Sequence, residues 1–402
     1  MAGSPNAPIT AGAVLRLIRE GRATTRNDLA TLLGAGRTTI AQRVDALLAT
    51  RLVHEAGAGV STGGRRPTML AFSADTGVVL SADLGATHCR LAVTDLNGRI
   101  LASHAGNLDI ALGPDQVLTS VLATFGTLLD EIEITPDAVL GIGVGVPGPV
   151  EFATGRPVNP PIMPGWDGFS VPDWFATAHP GVPVVVDNDV NIMALGEYTR
   201  VWQGTPYFLL VKVGTGIGCG IIVDGLVRRG AQGAAGDIGH VQIAGTEDAV
   251  CRCGNVACLE ALAGGGAMAK RLTEAGFDAP NARHVVELAR QGNPVATQMV
   301  RESGRLLGQV LAGVVNFLNP DVIIIGGDVS EAEQQLLAGV REIVYRRSLP
   351  LATQHLRIAR SELGDHAGVI GAAEMAIERV LADDVVDRLV GGVSINEALG
   401  VS

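Results

Sequence analysis

Three of the chain's five cysteines, Cys251, Cys253 and Cys258, fall within the stretch CRCGNVAC, and His240 stands eleven positions before the first of them. Few features restrict a fold more, because four ligand atoms would have to converge on one point whatever else the chain does. A disulfide knot, a metal centre and a chance cluster of small buried residues are the competing accounts. Disulfide frameworks belong to oxidising compartments and use even numbers of cysteines. The opening MAGSPNAP lacks the basic and apolar stretches of a signal peptide, and five cysteines is an odd number, so a reducing, cytoplasmic setting is expected. One imidazole and three thiolates complete a tetrahedral Zn2+ shell, and Gly254-Asn255 lets the chain fold back around the ion. Four protein ligands close such a site, so the expected zinc is structural.

The 402 residues are enough for two or three domains with real cores. No run reaches the roughly 18 consecutive apolar residues of a membrane span, and no membrane partner is expected. The net charge of −11 hides an asymmetry: nine arginines against four acids give residues 1–72 a charge of +5, leaving −16 for the rest. A basic module on an acidic body implies that only the first part meets a polyanion.

That module, residues 1–72, reads as three amphipathic helices. Val14, Leu17 and Ile18 mark the first, Leu29, Leu32 and Leu33 the second, and Ile40, Val44, Leu47 and Leu48 the third. Thr25 to Asp28, TRND, fits a capping box opening the second helix, and Gly34-Ala-Gly36 breaks the chain before the third. This is the order of a helix-turn-helix, whose second member lies in the major groove. Arg37, Thr38, Thr39, Gln42 and Arg43 would point outward from it and donate to base edges or phosphates. Two β-like runs around a glycine-rich tip then read as a wing, where Arg65 and Arg66 could enter a minor groove.

From Val78 the pattern changes to strands, with a hairpin signal at Asn97-Gly98, a helix near 114–132 and the buried run AVLGIGVGV. The runs YFLLVKV and IGCGIIV restart that pattern, which implies a duplicated α/β unit around a central cleft. Three glycine-rich loops end strands where such a cleft needs them: DLGAT with Asp83, Gly85 and Thr87; Gly214, Thr215 and Gly216; and Gly326-Gly327. Glycine lets backbone amides approach phosphate oxygens, threonine adds a donor, and Asp83 could hold Mg2+ through water. The stretch Gly143 to Gly148 formally matches a dinucleotide fingerprint, but its continuation, PVEFATGRPVNPPIMPGWDG, is too rich in proline and glycine to be the required helix. Asp189, between a buried strand and a helix, is placed to take a proton from a hydroxyl attacking a γ-phosphate; the plainer alternative is a helix cap.

Together these residues resemble the ROK family (repressor, open reading frame, kinase) over nearly the whole chain. GDIGH with CRCGNVACLE looks like its zinc motif, DLGATH and GTGIG like its phosphate loops, NDVN like its catalytic segment, and GGRRP like the wing of its repressor branch. The resemblance implies an α/β, actin-like (ribonuclease H-like) two-lobed sugar kinase fold preceded by a winged helix-turn-helix domain. Residues 73–190 would form the small lobe, with a C-terminal helix at 370–402 returning to it, and 191–369 the large lobe. It further implies that Asp189 is the catalytic base and Asn188 a sugar ligand, while His240 binds zinc and faces a sugar hydroxyl beside Glu260. Three departures stand out. Asp237 replaces the family's usual glutamate, which bears on the identity of the sugar. Ala257 replaces a glycine, a minor change in sequence terms. Asp328, after Gly327, would crowd or repel a nucleotide.

A kinase has no need of residues 1–72. The sequence therefore points to a sugar-responsive DNA-binding transcriptional regulator, a repressor of carbohydrate genes. The alternative is a sugar kinase using ATP and Mg2+ to phosphorylate a hexose; a structural actin-like protein would leave the cysteines and wing unexplained. Expected partners are a pseudo-palindromic operator, a sugar or sugar derivative, and further copies of the chain in a homodimer or tetramer.

Overall fold

The computed structural model describes residues 9–58, 67–244, 249–393 and Ala398. Local capping sets the first elements. The Thr10 hydroxyl accepts from the Ala13 amide at 3.1 Å and opens α1 (Ala11–Arg19), which buries Val14, Leu15, Leu17 and Ile18. The expected capping box forms at the start of α2 (Arg26–Leu33), with reciprocal bonds of 3.1 and 2.9 Å between Thr25 and Asp28. Gly34 ends α2 at φ 61°, a left-handed turn that glycine adopts freely, and α3 (Arg37–Ala49) begins three residues later. β1 (Val53–Ala58) and β2 (Thr68–Phe72) pair antiparallel as a hairpin. Its tip, with Arg65 and Arg66, lies outside the described residues. The apolar side chains of these elements run without a break into Val79, Leu96, Ile377 and Val380 of the body.

The body holds two five-stranded sheets. The first is built from β3 (Val78–Leu84), β4 (His88–Asp95) and β5 (Ile100–Asn107), covered by α4 (Pro114–Glu131), then β6 (Val139–Val146). A short hairpin, β7 (Val150–Glu151) and β8 (Arg156–Pro157), and α5 (Val171–Ala176) lead to β9 (Val184–Asn188). The strand order is β5-β4-β3-β6-β9, antiparallel as far as β3 and parallel beyond it. After α6 (Asp189–Glu197) come β10 (Tyr207–Val213), β11 (Ile217–Val223), β12 (Leu226–Val227), α7 (Leu259–Ala263), α8 (Gly265–Glu274), α9 (Ala282–Arg290) and α10 (Pro294–Leu318). β13 (Val322–Gly326), α11 (Glu333–Arg347), α12 (Pro350–Thr353) and β14 (Arg357–Arg360) complete the second sheet. Its order, β12-β11-β10-β13-β14, repeats the first in both sequence and direction. The duplication expected from the strand runs is therefore a duplication of topology. β13 is buried along its whole length, which is why VIIIG carries no alternation.

α13 (Ala367–Val380) packs on β3, β6 and α6, and α14 (Asp383–Val390) on α1. The first glycine of the false dinucleotide fingerprint serves this packing: a Cβ on Gly143 would overlap the Ala372 carbonyl of α13, while one on Gly145 would meet Ile192 of α6. Asp387 of α14 accepts from the amides of Ala11 and Gly12 at 2.6 and 3.1 Å, capping α1 from the far end of the chain. Among the described residues no helix is long and apolar enough to cross a membrane.

Candidate functional site

Two cavities adjoin between the sheets. The larger, about 330 Å³, is lined by Asn188, Asp189, Lys212, Asp237, His240 and Glu260, with Thr215 at its edge. Asn188 caps α6, accepting from Val190 at 2.9 Å while its amide donates to Gly148 at 2.9 Å, so the strand end, helix start and facing loop are tied together. Asp189 follows as the first residue of α6 and is buried. Its Oδ2 accepts from the ammonium of Lys212 at 2.6 Å. Glu260 stands in the first turn of α7, where Oε2 accepts from the Ile217 amide at 3.0 Å and lies against Gly216. Gly214, Thr215 and Gly216 line this cavity.

His240, Cys251, Cys253 and Cys258 bring one ligand atom each to within 4.8 Å of all the others. Cys251 Sγ is 3.6 Å from His240 Nδ1, and Cys253 Sγ is 3.7 Å from Cys258 Sγ. A tetrahedral zinc ion with bonds of about 2.3 Å to sulfur and about 2.0–2.1 Å to nitrogen would separate two sulfurs by about 3.8 Å and sulfur from nitrogen by about 3.5 Å. The donor set and its spacing fit a metal ion of that kind. His240 Nε2 is turned the other way, 3.8 Å from Asp237 Oδ1 in the larger cavity. Ala257 takes φ 59°, left-handed backbone that costs a residue with a Cβ about 1–2 kcal/mol, so the exchange of glycine for alanine is not minor.

The second cavity, about 190 Å³, holds Asp83, His88, Arg90, Arg283, Asp328 and Asp365. It is smaller than the roughly 300–1,000 Å³ of most small-molecule pockets. Arg283 pairs with Asp328 at 3.0 Å and Arg90 with Asp365 at 3.0 Å, so its guanidinium groups are already neutralised. A polyphosphate entering here would meet the carboxylates of Asp328 and Asp365. The His88 ring lies over Gly85. Gly85, Thr87 and Gly326 line neither cavity, whereas Gly327 lines the second. Asp83 has a buried Oδ1 without a hydrogen-bond partner, an atom that suits a cation. Burial, reinforced by the Asp189 charge and opposed by Lys212, raises its carboxyl to about 6. The residues therefore offer a cation ligand in Asp83 but not a nucleotide cradle.

On α3, Arg37, Thr38 and Gln42 are exposed and Thr39 is half-buried. Arg43 is engaged, its Nε donating to the Ile9 carbonyl at 3.1 Å. Sequence reasoning missed Lys212, Arg90, Arg283 and Asp365. Only Lys212 carried a signal, as a charge inside the apolar run YFLLVKV.

A model of the ROK family matches residues 79–379. A putative xylose repressor from Caldicellulosiruptor sp. (strain Rt8B.4) is 34% identical over 385 residues, which span 92% of this chain and 95% of that protein. A crystal structure of a ROK family transcriptional regulator, a homolog of the E. coli MLC protein, superposes with a TM-score of 0.79 at 26% identity over 96% of this chain and 98% of that one. A ROK family glucokinase from Streptomyces griseus, solved with glucose and AMPPNP, gives a TM-score of 0.66 at 29% identity, covering 75% of this chain and 99% of its own. The chain belongs to the ROK family, and joins the two-lobed, actin-like fold of that family's sugar kinases to an N-terminal helical module.

Proposed function

We propose that this protein is a sugar-responsive transcriptional repressor. The observation that carries the reading is coverage: similarity to the putative xylose repressor spans 92% of the chain, whereas the glucokinase structure accounts for 75% of it. What the kinase leaves over is a module with the helix order and exposed donors of a DNA reader. In this reading residues 1–72 read the operator, and 73–190 and 191–369 are the two lobes of the sensor. Asn188, Asp189, Asp237, His240 and Glu260 are the polar groups for a sugar's hydroxyls. Zinc, held by His240, Cys251, Cys253 and Cys258, fixes the loop that presents His240. Two copies on a pseudo-palindromic site would supply the base contacts that one module lacks.

The test is a gel-shift titration of the full chain on DNA from its own upstream region, with d-xylose, d-glucose or N-acetyl-d-glucosamine added. Specific binding that one sugar changes by about 5-fold or more supports the sensor. Sequence-independent binding that no sugar alters would eliminate it.

A further inference from the structure

Of the chain's 30 lysines and arginines, only Lys212 and Lys270 are lysine. Lys270 is exposed on α8, but Lys212 sits in a sheet strand and its ammonium reaches from the second sheet to Asp189 at the head of α6, which follows the first. Both side chains are largely withdrawn from water, with 18% and 12% exposed. Lys212, His88 and Asp328 line both cavities and so form the wall between them. The carboxylates of Asp83 and Asp328 also act on it; burial would lower its proton affinity, but Asp189 and Asp83 raise it, so the charge stays.

This placement bears on what Asp189 can do. The ion pair fixes which way the carboxylate points. Here Oδ2 is taken by the ammonium at 2.6 Å, and the carboxylate keeps Oδ1 to accept a hydrogen bond from a ligand hydroxyl. Asp189 itself lines only the first cavity, so the pair faces the larger space. On the far side, Arg283 and Arg90 are spent on Asp328 and Asp365.

We infer that Lys212 is a positioning residue of the cleft: it holds Asp189 as a hydrogen-bond acceptor for a sugar hydroxyl and keeps a fixed positive charge in the wall between the two cavities, so that sugar binds without nucleotide. The inference rests on the sugar-binding reading above and deepens it. It also accounts for a lysine in a chain that otherwise prefers arginine. A compact ammonium on a flexible stem can follow one carboxylate oxygen, whereas a planar guanidinium would demand a wider, forked partner.

The experiment is calorimetric titration of the full chain with d-xylose, d-glucose and N-acetyl-d-glucosamine, each with and without millimolar Mg-AMPPNP. Wild-type protein should bind at least one sugar with an affinity that the nucleotide changes by less than about threefold. Lys212→Met, equal in length but uncharged, should bind that sugar about tenfold or more weakly, the scale of a hydrogen bond to a charged group. A nucleotide effect beyond threefold, or a Lys212→Met protein within threefold of wild type, overturns the inference. A wild-type protein that ignores all three sugars removes the sensor reading itself, and this inference with it. A second measurement needs no variant. Protein carrying 13C-lysine gives two side-chain signals, and sugar should move that of Lys212 while leaving that of Lys270 in place. An unmoved Lys212 signal overturns the inference even if Lys212→Met does not fold.

Discussion

One ring, His240, faces two surfaces. Its Nδ1 looks toward Cys251 and its Nε2 toward Asp237, so whatever the thiolates hold decides which tautomer the cavity meets. A metal on Nδ1 leaves the proton on Nε2, and the ring becomes a fixed donor to a ligand oxygen. Removing zinc with a chelator, or replacing Cys253 by Ser, should therefore weaken sugar binding by more than about tenfold. Metal analysis and calorimetry on the same sample check this; zinc-free protein with undiminished sugar affinity would contradict it. Asp83 shows the opposite economy, a buried carboxylate without a partner on one oxygen. Burial raises its folded value to about 6, above the ordinary carboxylate range. A group raised in the folded state adds stability below its unfolded value near 4, and loses that contribution as pH rises through about 6. Asp83→Asn should accordingly melt higher than wild type at pH 7, by about 3 kcal/mol of stability, with the difference shrinking toward pH 4. Melting curves that run parallel across that range would show that Asp83 is not the group responsible.

Among the helices, α13 reaches from the cleft to the first helix of the chain. A Cβ on Gly371 would overlap the Ile192 carbonyl of α6, and one on Gly368 the carboxylate of Asp83, so the helix lies backbone-close to both sides of the cleft. Further along it, Glu374 and Glu378 receive Arg19 of α1 at 3.1 and 2.7 Å. One rigid element thus touches Asp83, the helix that starts at Asp189, and the first helix of the DNA module. If α13 carries the response, Arg19→Ala should leave sugar affinity intact while cutting the sugar-dependent change in operator affinity, a coupling typically worth about 1–3 kcal/mol. Operator titrations with and without sugar measure it, and a full response in Arg19→Ala rules this contact out as the route. Elements of this kind are only half legible in a sequence. Local signals can be read: the TRND cap, the Asn97-Gly98 turn, the ligand spacing and the strand runs all depend on neighbours a few residues away. Features that depend on distant partners cannot. The reason for glycine at 368 and 371 lies in Asp83 and Ile192, and the alliance of α14 with α1 joins the two ends of the described chain. Thr87 reads as a phosphate donor, yet lines neither cavity; its carbonyl accepts from the Leu108 amide at 3.1 Å, a partner twenty-one residues away.

The whole molecule is two like sheets about a cleft, with a basic reader at one end of an acidic body. A charge of +5 on residues 1–72 against −16 on the rest means that DNA is attracted to the module and repelled by the lobes. Contacts should then be few, and the salt dependence of binding should report them almost one by one, at roughly 0.9 in the logarithmic slope per neutralised phosphate. Within the module some arginines are already committed: Arg26 pairs with Asp45 and Glu55, and Arg43 is held by Ile9. The freer donors on α3 are Arg37, Thr38 and Gln42. Gln42→Ala should cost about 1–3 kcal/mol on the preferred operator and relax its choice of one base pair, with the salt slope unchanged. Arg65 and Arg66, proposed from sequence for the minor groove, should behave differently. Replacing both by Ala would weaken binding to all sequences and lower the slope by about 2 for each module engaged. A two-fold dimer therefore loses about 4, and a lone module about 2, so this slope also counts the modules on the operator. Light scattering of the same complexes gives the stoichiometry independently. A one-to-one complex whose slope ignores Arg65 and Arg66 would refute both the dimer and the wing's part in it.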